Sequence, residues 1–312
     1  MSSPFILGCD SSELTRDERL FFNDSQPFGF ILFQRNCNNK TQVQELIYNL
    51  RDSVKHFAPI FIDQEGGRVQ RLKEPVWRKA PTSASFGKIF EINEELATQL
   101  VFQNARLIAE ELQVLGIDVN CAPVLDLLES NASDIIGDRA FSTNPHTTSV
   151  LGRSFVKGLE NGGIAPVVKH IPGHGRAKVD SHLSTPFVSK KLDYLTKNDF
   201  IPFKNKQSLF AMTAHIVFTD IDNKNTVTHS QKLIKLIRNR IGFKNILFSD
   251  DLSMKSLKGP IKENTIKTFK AGCNIVLHCN GNLKEMTVVG QNSPLVDRFI
   301  TKKTSEFYKI LS

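Results

Sequence analysis

Residues 169–186 read KHIPGHGRAKVDSHLSTP and follow directly on the apolar pair Val167-Val168. An apolar run of this kind reads as a buried strand, and the glycine and proline punctuation that follows ends it. Gly173 and Gly175 allow positive φ or a close backbone approach. Lys169, His170, His174, Asp180 and His182 therefore gather at the carboxyl end of a strand. So polar a cluster marks a site and not a core.

The same grammar recurs along the chain. Short apolar runs occupy residues 5–9, 30–33, 59–62, 119–125, 165–168, 210–213, 245–248 and 274–277. Between them, residues 43–54, 94–115, 147–159, 231–241 and 264–271 carry apolar residues at helical spacing. In residues 94–115 the expected buried stripe is Leu96, Leu100, Ile108, Leu112 and Leu115, with Gly116 as the stop. Eight strands alternating with helices predict an α/β protein, a single (β/α)8 TIM-type barrel filling residues 1–312; an open doubly wound sheet gives a similar local pattern. The placement of the polar residues favours the barrel. Asp63 follows the third run, Arg139 lies in the long loop after the fourth, His170 and His182 follow the fifth and Asp250 follows the seventh. Chemistry contributed by so many strand ends is barrel behaviour, because all the loops at that end open onto one face.

Composition narrows the class. A chain of 312 residues can bury a sizeable core, and neither a linker nor a repeat divides it. No run is long and apolar enough for a membrane span, and the N-terminus lacks a basic, apolar leader pattern, so a cytoplasmic protein is expected. The net charge of +8 is spread along the chain, which argues against nucleic acid as a partner. Cys9, Cys37, Cys121, Cys273 and Cys279 are scattered and mostly sit in apolar runs, so they read as reduced, buried thiols.

Four constellations carry chemistry. In ILFSDDLSM, residues 246–254, two carboxylates follow a buried strand; side-chain alternation lets only one of them, Asp250 or Asp251, point into the barrel mouth. In Asp180-Ser181-His182 an acid stands two residues from an imidazole, and an extended backbone would put both on one side. That carboxylate would then favour the cationic ring. The alternative there is a turn in which Asp180 bonds its local backbone. In DQEGGRVQRL, residues 63–72, a glycine-broken turn presents Asp63, Arg68 and Arg71, a set that grips neighbouring hydroxyls, the carboxylate accepting and the guanidinium donating. IGDRAF, residues 136–141, adds Arg139. A metal site on His170, His174 and His182 is disfavoured by their spacing in a Gly/Pro-broken loop, and GHG lacks the phosphate-binding glycine patterns.

Together, DQEGGRVQR, GDRAF, KHxPGHG with DSH, SDDLSM and AGC, in this order over residues 60–280, resemble glycoside hydrolase family 3, in particular its single-domain bacterial β-N-acetylglucosaminidases of cell-wall recycling. The resemblance implies a (β/α)8 barrel that removes non-reducing β-linked N-acetylglucosamine from muropeptides of the 1,6-anhydromuramic acid type, as a monomer with no metal or cofactor. It implies Asp250 as nucleophile, His182 as general acid/base with Asp180 as its partner, and Asp63, Arg71, Arg139, Lys169 and His170 as the residues that hold the terminal sugar. Ile171, Asn274 and the irregular segment 258–263 depart from the family pattern and bear on fine substrate preference. Two other functions fit the same residues: transfer of the glycosyl group to phosphate, and sugar binding without catalysis.

Overall fold

The computed structural model describes residues 2–129, 132–204 and 208–311. Eight parallel strands close into a barrel: β1 (Ser3–Gly8), β2 (Pro27–Leu32), β3 (Ile60–Ile62), β4 (Val119–Asn120), β5 (Ala165–Ile171), β6 (Phe210–Thr213), β7 (Ile246–Asp251) and β8 (Ile275–His278). Each strand lies beside its neighbour in sequence, and β8 pairs with β1 to close the ring. The helices α1 (Arg16–Ser25), α2 (Lys40–Asp52), α3 (Ser83–Phe90), α4 (Glu94–Leu115), α5 (Pro145–Asn161), α6 (Leu192–Lys197), α7 (Gln231–Leu236), α8 (Ile261–Ala271), α9 (Leu283–Gln291) and α10 (Arg298–Leu311) accompany them. All eight anticipated strands form, and the fold is the expected barrel.

Their ends differ from expectation in a way that shapes the site. The fourth strand is two residues long instead of seven, since Pro123 has no N–H for the ladder, which resumes only as a bridge between Val124 and Lys169. The fifth and seventh run further into polar sequence than their apolar runs reach, so Lys169, His170, Asp250 and Asp251 are strand residues and not loop residues.

Strand side chains alternate between two apolar layers, as in a sheet covered on both faces. In β3, Ile60 and Ile62 join the helix layer while Phe61 points into the barrel interior. There Phe61, Phe210 and Phe248 meet edge to face, with ring centroids 5.8 to 6.2 Å apart. The favoured geometry adds to the area they bury. Phe307 of α10 lies 5.8 Å from Phe210, the first residue of β6, and joins Ile300 in the interior cluster. Helix α10 therefore stops the barrel at the end opposite the site.

Helix α4 begins where anticipated, capped by Asn93, whose side chain accepts from the Leu96 N–H at 2.9 Å, and it ends at Gly116 with φ 84°. Of the expected stripe, Ile108, Leu112 and Leu115 are buried, but Leu96 and Leu100 are 46 % and 38 % exposed, and Ala97, Val101, Ala105 and Ala109 complete the inward face. Close packing against α5 is the reason. A Cβ on Gly158 would stand 2.6 Å from that of Ala105, and one on Gly162 would stand 2.3 Å from that of Ala109. Small residues, not leucines, fit such a seam.

Among the described residues no helix is long and apolar enough to cross a membrane. The five cysteines are free and buried, as anticipated. Asn274 braces the far end of the barrel, its side-chain oxygen accepting from Arg238 at 2.6 Å and from the Leu247 N–H at 2.9 Å.

Candidate active site

The sequence after β3 folds back as a small antiparallel ribbon, Gln64–Gly66 against Val69–Gln70. Gly66 and Gly67, at φ 103° and 58°, make its turn, a conformation open to glycine at little cost. The Gln64 side chain ties the ribbon down by accepting from the N–H groups of Arg71 at 2.9 Å and Leu72 at 3.1 Å. Asp63, Glu65 and Arg71 are thereby turned toward the barrel mouth.

An alternating chain of charges results. Arg71 donates to Asp63 at 2.8 Å, and the Lys169 ammonium bridges Asp63 at 2.8 Å and Glu65 at 2.6 Å. Arg139 grips both oxygens of Glu65 at 2.8 Å. Lys169 is 2 % exposed, so this is a buried network and not a surface ion pair of small worth. Burial pushes the Asp63 and Glu65 carboxyls up, but the cations outweigh it and hold Asp63 well below the usual range and Glu65 at about 2. Lys169 and Arg139 are held charged in turn: burial works against the charge and the two carboxylates overcome it.

Asp126, fully buried, accepts from the His174 backbone N–H and from the His170 ring nitrogen Nδ1, both at 2.6 Å. Burial raises its pKa, but His170 and His174 outweigh this and keep it a carboxylate. A carboxylate can only accept, so Nδ1 of His170 carries a proton and donates it to Asp126. Gly173, at φ 139°, and Gly175 carry the chain onward; a Cβ on Gly175 would stand 1.8 Å from the Leu127 carbonyl oxygen.

The Asp180–His182 pair forms, but not by strand alternation. The backbone turns there, with the Leu183 N–H donating to the Asp180 carbonyl at 3.0 Å. Asp180 Oδ1 accepts from both the backbone N–H of His182 at 2.8 Å and its ring Nδ1 at 2.9 Å. The expected turn and the expected imidazole partnership are thus one arrangement. The His182 side chain is 61 % exposed.

On β7 the parallel ladder shifts register between Phe248 and Asp251, so both Asp250 and Asp251 line the cavity, where strict alternation would admit one. Asp251 is committed to structure: it accepts from the N–H groups of Ser253 at 3.0 Å and Cys279 at 3.1 Å and from the Ser253 hydroxyl at 2.6 Å. Asp250 accepts from the Asp251 N–H at 2.8 Å. Burial raises its pKa, yet His215, His170 and that N–H lower it further, so Asp250 is ionised.

A cavity of about 300 Å³ joins these groups. Asp63, Arg71, Arg139, Lys169, His170, His182 and Asp250 all line it; Asp180 does not, and reaches it through His182. Ile31, Phe33, Met212, Met254 and Leu277 supply an apolar wall. Glu65, Asp126 and His215 join the site without having been expected there. Glu65 lay inside a quoted motif two residues from Asp63, and Asp126 follows an apolar run just as Asp250 does, so both carried a signal. His215, whose Nε2 donates to the Asp251 carbonyl at 3.0 Å, stands two residues past β6 without any such cue.

An ionised carboxylate, an imidazole paired with an acid, and a wall of alternating donors and acceptors suit cleavage of a glycosidic bond. The comparisons agree. The sequence matches the glycosyl hydrolase family 3 N-terminal domain over residues 11–300. It is 36 % identical over 281 residues to the beta-hexosaminidase of Actinobacillus pleuropneumoniae serotype 5b, covering 88 % of this chain and 80 % of that one. It is 37 % identical over 297 residues to the beta-hexosaminidase of Neisseria meningitidis serogroup C, covering 92 % and 82 %. The structure superposes with a TM-score of 0.89 on NagZ from Neisseria gonorrhoeae, solved in complex with N-trifluoroacetyl-D-glucosamine, at 32 % identity over 100 % of this chain and 90 % of that chain. The chain belongs to glycosyl hydrolase family 3. Within it, the enzyme is a β-N-acetylhexosaminidase.

Proposed function

We propose that the protein removes non-reducing terminal β-linked N-acetylglucosamine from muropeptides of the GlcNAc-1,6-anhydroMurNAc type, in cytoplasmic peptidoglycan recycling, with retention of configuration. The observation that carries this reading is that Asp250 and His182, the latter held by Asp180, line one small cavity together with the Arg71–Asp63–Lys169–Glu65–Arg139 network. Asp250 attacks the anomeric carbon as the bond to the leaving oxygen breaks. Protonated His182 delivers its proton to that oxygen, giving a glycosyl-Asp250 ester. Neutral His182 then takes a proton from water as the water attacks the anomeric carbon and the carboxylate leaves. Asp180 fixes the ring and stabilises its cation in the first step. Asp63, Arg71, Arg139, Lys169 and His170 bind the sugar hydroxyls, and no metal or cofactor takes part. The anionic stem peptide of a muropeptide suits the positive net charge of the chain.

The test compares p-nitrophenyl β-N-acetylglucosaminide with the β-glucoside, in buffers with and without phosphate. Asp250→Asn abolishes turnover, while His182→Ala loses more on poor leaving groups than on activated aryl ones. Equal losses for His182→Ala on both kinds of substrate refute the acid role, and a sugar 1-phosphate among the products shifts the assignment to a phosphorylase.

A further inference from the structure

The loop that carries Asp180 and His182 is exposed at its tip yet anchored by one residue between them. Ser181 is 2 % exposed, and its Oγ shares a hydrogen bond with Nε2 of His174 at 3.0 Å. His174 is also 2 % exposed, and its position is set from the strand side, by its N–H to Asp126 and by an edge-to-face contact with His170 at 5.4 Å. A second tie reaches the same serine from the segment after β7: the Ser256 N–H donates to the Ser181 carbonyl at 3.2 Å, and the Thr185 hydroxyl donates to the Ser256 carbonyl at 2.7 Å. The residue between Asp180 and His182 is thus tied both to the β5 end that bears His170 and to the segment that follows Asp250.

We propose that His174 and Ser181 form a latch that places His182 over the sugar, making them positioning residues for the proton transfers. The inference rests on the acid/base reading of His182. Burial and the neighbouring His170 push His174 down to about 4, so a neutral ring holds the serine at ordinary pH. Nδ1 of His174 is buried and has no partner among the described residues, so among them the ring's hydrogen bonding runs through Nε2. Through that bond the ring, packed edge to face on His170, passes its position to the loop. A displacement of about 1 Å costs on the order of 10²-fold in rate, which sets the scale of the expected effect.

The experiment uses aryl β-N-acetylglucosaminides with His174→Phe, which keeps the ring packing and removes the nitrogens, and the milder Ser181→Ala. His182→Ala runs in parallel, with and without sodium azide. Azide attacks the anomeric carbon of the glycosyl-enzyme and expels the Asp250 carboxylate with its electron pair, and it needs no general base. Both latch variants are expected to lose about 10- to 100-fold in kcat and to recover much of it with azide, as His182→Ala does. His174→Phe/Ser181→Ala combined is expected to be no worse than the poorer single variant, the sign of one shared interaction. Should His174→Phe misfold, Ser181→Ala carries the test. If His182→Ala behaves as described while Ser181→Ala stays within about twofold of wild type, or loses activity that azide does not recover, the latch is overturned with the acid/base reading intact. If His182→Ala itself keeps wild-type kinetics, the acid/base reading fails and the latch with it.

Discussion

Replacing Glu65 with Gln removes one charge from the centre of the buried network while keeping the side-chain shape. Arg139 would face an amide where it now holds a carboxylate at two points of 2.8 Å, and Lys169 would lose its 2.6 Å partner. Three cations, Arg71, Arg139 and Lys169, would then share Asp63. Breaking a buried pair costs about 3–5 kcal/mol. The electrostatics of the site lead to a similar figure: a carboxyl moved from 4.5 to about 2 prefers its charged form by about 3 kcal/mol. The two agree, so Glu65→Gln should lose about 3 kcal/mol in urea unfolding at pH 7. The sign of the pH dependence follows from the depressed folded value. The contribution of Glu65 is complete above the unfolded pKa, near 4.5, and is lost as pH falls through about 2. About 2 kcal/mol of the difference between wild type and variant should therefore vanish between pH 6 and pH 3. A variant within about 1 kcal/mol of wild type at pH 7, or a gap that stays constant down to pH 3, would refute the electrostatic account of this wall.

Two further outcomes test the packing around the site. Gly175→Ala would drive a Cβ to 1.8 Å from the Leu127 carbonyl, a backbone contact that no rotamer relieves, so kcat/KM should fall at least about tenfold, with the loss checked against circular dichroism at 25 °C. On α4, Leu112→Ala should cost about 2–5 kcal/mol in urea unfolding, whereas Leu100→Ala, at a half-exposed position, should cost less than about 1 kcal/mol; the opposite order would refute this assignment of the helix's buried face.

Strand identity was readable because each barrel strand is buried on both faces, so runs such as those around Phe61, Phe210 and Phe248 stay apolar residue after residue. The positions of Asp63, Lys169, His170 and Asp250 were readable for a related reason: a charged residue directly after such a run belongs at a barrel mouth. What local pattern cannot carry is a contact between distant segments. Leu96 and Leu100 lie off the buried face of α4 because that face is set by Gly158 of α5 and Gly162 just past its end, more than forty residues away in the chain. Helix α10 has apolar residues at helical spacing, but its barrel-sealing role depends on two of them, Ile300 and Phe307, meeting an interior built from other elements. Whether Asp250 and Asp251 both reach the cavity depends on a register shift against β8, which alternation along one strand does not encode. The same holds for Glu65 and Asp126: their residue types were visible, but a buried carboxylate acquires its meaning from the cations and rings around it. Those partners, Arg139 and Lys169 for the one and His170 and His174 for the other, lie 44 to 104 residues along the chain and meet only when the barrel closes.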